Sequence, residues 1–172
     1  MKELFTRYFP LRINGRRVLK YALYLFLSLV LQNMLFTQLR ILGECPLILP
    51  AVAVAIGMFE GGTWGVVISM ILGIFADMFF VENTVTFTVV FPLLAFGSGF
   101  VSQFFINRRF FAFVGAALVG LLLTGVVQML HTAAGDVFSP GMIRTVILQT
   151  LWALPFTPLA YWPEAKWIGQ PE

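Results

Sequence analysis

Charged residues cut the chain into long apolar runs. Free of Asp, Glu, Lys and Arg are residues 21–39, 45–59, 61–76, 83–107, 110–135 and 145–163. About 20 residues at 1.5 Å each cross a hydrocarbon core of roughly 30 Å, so the first run and the last three are spans outright. The middle two are short. Joined in one helix, residues 45–81 would run ~55 Å with Glu60-Gly61-Gly62 at the centre, which argues instead for a hairpin turning at residues 60–63. The pattern predicts an all-α integral membrane protein, a six-transmembrane-helix bundle in a single domain 1–172. Its spans fall at about 21–39, 45–59, 62–81, 84–107, 110–133 and 145–163, behind a basic tail 1–20.

Composition agrees with this pattern. Apolar residues make up 59% of the chain and charged ones 11%, far below the roughly 25% of a soluble domain, and mean hydropathy is +0.90. Too little polar material exists to cover the surface in water. The net charge of +3 is concentrated in Lys2, Arg7, Arg12, Arg16, Arg17 and Lys20, ahead of the first apolar run. That asymmetry orients the chain in a membrane and does not point to nucleic acid. With six spans and both termini cytoplasmic, nine basic residues lie inside and Arg40 and Arg144 outside; a single crossing over 45–81 would give seven and four. The tail is too long, and lacks a small-x-small site, for a cleaved signal. Its interleaved Leu4, Phe5, Tyr8 and Phe9 suit the surface of an anionic membrane, with a cytoplasmic partner as the other reading. Pro155 and Pro158 predict a kink in the last span, and Tyr161, Trp162 and Trp167 an interfacial belt at its inner end.

Candidate chemistry is sparse. One cysteine, Cys45, excludes an intrachain disulfide, and one histidine, His131, without a second ligand at helical spacing, reads as a packed or interfacial side chain; no metal or cofactor is expected. There is no Gly-x-Ser-x-Gly, no His-Glu-x-x-His and no phosphate-cradling loop, so the chain is not expected to be an enzyme. The most ordered pattern is Gly57, Gly61, Gly65, Ser69, Gly73 and Asp77, one every four residues. Such small residues form a packing seam, against a partner's helix or against the chain's own. Asp77 closes the seam about 22 Å along the third span, where a carboxylate needs a partner, a proton or headgroup water. Glu60, at the inner turn, is a candidate for an ion pair with Arg16, Arg17, Arg108 or Arg109, and Gln32 and Asn33 for hydrogen bonds between helices.

Leu31-Gln32, then Ile41, Gly43 and Pro46, then Gly57, Gly61, Gly65 and Gly73 leading to Asp77 resemble the rod-shape-determining protein MreD family. The resemblance covers roughly residues 19–113, up to the basic pair Arg108-Arg109; after Asp77 the chain departs from the family, reading Val81-Glu82-Asn83-Thr84-Val85 where a glycine is usual. The resemblance implies a bundle similar to the substrate-binding subunits of energy-coupling-factor vitamin transporters. It implies a non-catalytic inner-membrane scaffold of wall elongation, with MreC, the RodA glycosyltransferase and a penicillin-binding transpeptidase as partners. Those vitamin-transporter subunits supply the alternative function. Their Ala-x-x-x-Ala coupling face is absent, because Ala22 is followed four residues on by Phe26.

Overall fold

The computed structural model describes residues 15–39, 43–79, 85–104, 110–135 and 141–168. Among them the chain is all-helical. Helix α1 (Gly15–Leu31) runs on into a π-helical turn, Gln32–Phe36. It is followed by α2 (Leu49–Glu60), α3 (Gly62–Phe79), α4 (Thr86–Phe104) and α5 (Phe110–Gly135). The last segment is composite: α6 (Gly141–Ala153), a 3-10 turn Leu154–Phe156, α7 (Thr157–Pro163) and a π-helical turn Glu164–Ile168. The 3-10 turn coincides with Pro155, which has no N–H for the α-helical ladder.

Two helices, over Gly15–Phe36 and Phe110–Ala133, are long and apolar enough to cross a membrane; Leu49–Glu60, Thr63–Phe79 and Thr86–Ser102 are apolar but shorter. The helices differ from the predicted spans at their ends. Helix α1 begins at Gly15, inside the stretch read as a tail, so Arg16, Arg17 and Lys20 are helical. Helix α2 begins at Leu49 instead of Cys45 because Pro46 precedes it and Pro50 occupies its first turn, where a missing N–H is harmless. The hairpin between α2 and α3 is tighter than the predicted turn. One residue, Gly61, connects the helices at φ 60° and ψ 177°, a backbone region open essentially to glycine alone.

Helix α2 is the centre of the bundle. Every residue from Leu49 to Met58 is buried, and the helix packs on α3, α4, α5 and α7. Its alternation of Ala51, Ala53 and Ala55 with Val52, Val54 and Ile56 keeps the helix narrow enough to be enclosed on all sides. The outer surface is apolar: Phe26, Met78, Leu93, Phe111, Leu130 and Trp162 are all exposed. An exposed surface of this kind is a liability in water and the expected state in lipid. Helix α1 and the last segment, at opposite ends of the chain, lie side by side. Tyr24 donates to the Ala160 carbonyl at 2.8 Å, and Phe36 meets the Phe156 ring edge-on at 4.8 Å. The bundle thus has a near end, with Arg17, Glu60 and Glu164, and a far end, with Gln32 and Asp77.

Candidate functional site

The seam of small residues is occupied by the chain's own helices. A Cβ on Gly65 would sit 3.2 Å from the Gly57 Cα, so the two glycines let α2 and α3 touch at backbone level. A Cβ on Gly57 would collide with the backbone of Ala95 and with the Ser98 hydroxyl on α4, and one on Gly73 would lie 2.8 Å from the Thr88 Cα. Gly61 is the buried turn, and Ser69 is fully enclosed on the same face of α3.

Helix α4 answers the seam with small residues of its own. The Ser98 hydroxyl lies 3.1 Å from the Val54 carbonyl and 3.2 Å from that of Ala95 on its own helix. The Ser102 hydroxyl donates to the Gly99 carbonyl at 2.9 Å with that of Met58 at 3.3 Å, and a Cβ on Gly99 would sit 2.8 Å from the Gly57 oxygen. Sequence reasoning missed this complement. Its signal was Ala95, Ser98, Gly99 and Ser102, spaced three and four apart in the fourth apolar run.

Asp77, four residues beyond Gly73, meets the start of α4. Its Oδ1 accepts from the Phe87 N–H at 3.0 Å, and Oδ2 from the Thr88 N–H at 2.7 Å and the Thr88 hydroxyl at 2.6 Å. The first N–H groups of a helix have no intrahelical partner and carry partial positive charge, so a carboxylate here both satisfies donors and complements the dipole. Asp77 is a helix cap supplied from the preceding helix. The segment between them, with Glu82 and Asn83, lies outside the described residues.

Gln32 performs the same office for α2. Buried in the π-helical turn, its amide donates to the Pro46 carbonyl at 3.0 Å and accepts from the Ile48 N–H at 2.8 Å. It therefore closes the far end between the first two helices by binding the irregular backbone ahead of α2. Among the described residues Asn33 bonds within its own helix, to the Leu29 carbonyl. Gln32→Leu keeps the volume but orphans two buried backbone groups at about 1–3 kcal/mol each. Thermal unfolding in detergent should show a loss of roughly 3 kcal/mol, with Asn33→Leu costing under ~1 kcal/mol.

At the near end Glu60 is paired with Arg17, guanidinium to carboxylate at 2.6 Å. The alternative partners Arg108 and Arg109 lie outside the described residues. The same Oε1 of Glu60 accepts from the Tyr21 hydroxyl, and the Tyr21 oxygen also lies 3.2 Å from Oε2 of Glu164. Glu164 is fully buried, and among the described residues its Oε1 has no hydrogen-bond partner. One residue past the predicted sixth span, its carboxyl is pushed up to about 8 by burial and then by the nearby Glu60 charge, against the opposing pull of Tyr21 and Arg17. Sequence reasoning missed Tyr21 and Glu164 as partners, since 143 residues separate them.

The remaining candidates stand apart from these clusters. His131 is exposed on α5, and among the described residues no group of three metal-ligating side chains occurs. Tyr161, expected in an interfacial belt, is half-buried among the rings of Phe59, Phe110 and Phe113, at 5.4, 5.3 and 5.2 Å. Trp162 is exposed with Lys166 5.8 Å above its ring. No family model, curated protein or solved structure matches the chain.

Proposed function

We propose that this chain is a non-catalytic scaffold of the bacterial wall-elongation machinery, a six-span protein of the inner membrane with both termini cytoplasmic. The observation that carries the proposal is how the residues of the MreD resemblance are used. Gln32 and Pro46 join α1 to the entry of α2. Gly57 and Gly65 join α2 to α3, and Gly73 and Asp77 join α3 to α4. These positions of the pattern make shape, and a protein whose distinctive residues join its helices into one rigid body suits holding other proteins in place. The near end is then cytoplasmic, because Arg16, Arg17, Lys20 and Lys166 lie there. An MreC-like protein, a RodA-like glycosyltransferase and a penicillin-binding transpeptidase are the proposed partners, with membrane lipid around the bundle.

Copurification from native membranes tests the reading. MreC-like and RodA-like proteins retained with the full chain would support it. Retention of an ATPase with its membrane coupling subunit would overturn it in favour of a vitamin-transporter subunit.

A further inference from the structure

The near-end cluster sets one phenol between two carboxyl groups. The Tyr21 oxygen touches a carboxylate oxygen on each side, Glu60 Oε1 and Glu164 Oε2, yet a phenol carries one proton and donates once. A proton on the other carboxyl gives the second contact a donor of its own. Glu60 already accepts from Arg17 at 2.6 Å. Among the described residues no ion pair to Glu164 occurs, and the side chain is shut away from water, where an unpaired charge is costly.

We infer that Glu164 is a proton-binding site: a neutral carboxylic acid whose Oε2–H donates to Tyr21, whose own O–H donates to Glu60, clamping the last segment to α1 and α2. The clamp holds one proton more than two ordinary glutamates would. Removing it follows the same line: Glu164 gives its proton to the Tyr21 oxygen as Tyr21 gives its own to Glu60. Glu60 then releases a proton to water beside Arg17, whose side chain is 52% exposed. Afterwards two carboxylates compete for one hydroxyl donor, and the Glu164–Ile168 turn loses its tie to α1.

The groups facing Glu164 set the range in which this occurs. They are Arg17, Tyr21 and Tyr24 on α1 and Glu60 on α2. Lys20 is the next cation along α1, Tyr161 on α7 is held among aromatic rings, and Lys166 on the same turn sits over Trp162. Because the folded-state value is raised, from 4.5 to about 8, the stabilising contribution is whole below about pH 4.5. It is then lost progressively as pH rises to about 8, above which the folded group is itself ionised and the curve levels.

The test is infrared spectroscopy of the full chain in lipid nanodiscs, titrated across this range, for the wild type and for Glu164→Gln. The expected result is a protonated-carboxyl band at pH 6 that disappears with a midpoint near 8. It should be missing from Glu164→Gln, whose amide can still donate to Tyr21. Thermal stability should fall over the same interval in the wild type and stay flat in the variant. The wild-type titration stands alone should the variant not fold. No such band at pH 6, a midpoint at the ordinary glutamate value, or an unchanged band in Glu164→Gln would each overturn the site.

Discussion

Gly57→Ala is expected to unfold or misassemble the bundle, although alanine is the better helix former. The propensity gain is at most ~1 kcal/mol. Against it stands a collision of the new Cβ with the Ala95 backbone, which, unlike the end of a flexible side chain, cannot turn aside. Overpacking costs of about 1–3 kcal/mol are typical where side chains can adjust, and this contact lies at or beyond the upper end. Separating α2 from α4 would also remove the contact of the Ser98 hydroxyl with the Val54 carbonyl. Gly97→Ala is the matched control: the same change on α4, at an exposed position with nothing within 4 Å, should be neutral or stabilising by up to ~1 kcal/mol. Membrane abundance and detergent thermal unfolding of the two variants check the contrast. Equal behaviour would mean that α2 and α4 do not approach as closely as described.

Asp77→Leu should cost about 3 kcal/mol or more, since it removes three hydrogen bonds to one carboxylate and leaves the start of α4 uncapped. Asp77→Asn retains one acceptor and the shape, turns an NH₂ toward donors, and should cost about 1–2 kcal/mol. The order of the two variants bears on function. If Asp77 acts by holding α4, shape complementation in a depletion strain should track abundance, with Asn closer to wild type than Leu. If the ionisable group itself were needed, both variants would lose function equally at normal abundance, and the scaffold proposal would fail.

The helices were legible because charge punctuates this chain so sparsely. Glu60, Asp77 and the Arg108-Arg109 pair sit near helix ends, and apolar length does the rest. Helix starts were less legible. That of α2 depends on Gln32, 16 residues away, taking the Ile48 N–H, and no local propensity encodes such a bond. The seam could be read as a seam, since a four-residue period is visible along one helix, but which neighbour fills it is a matter of three-dimensional packing. The near-end cluster was half legible. Glu60 demanded a cation and Arg17 was among those named, whereas Glu164, following Pro163 at the end of an apolar run, reads as an ordinary interfacial acid. Only the adjacency of the chain's two ends turns it into a buried acid.

That adjacency also orders the birth of the molecule. Tyr21 leaves the ribosome 143 residues before Glu164, an interval of roughly 7–30 s at ordinary rates of synthesis. For all of that time the face of α1 that will receive Ala160 and Glu164 has no mate; the Tyr21 hydroxyl can meet Glu60 once α2 emerges, but the Tyr24 hydroxyl must find lipid headgroups, water or an insertion factor. Helices α2 to α4 can close on one another as soon as they emerge, whereas α1 waits for the final segment to complete its surroundings. A chain stopped before Ala160 would therefore hold a finished middle and an unfinished rim.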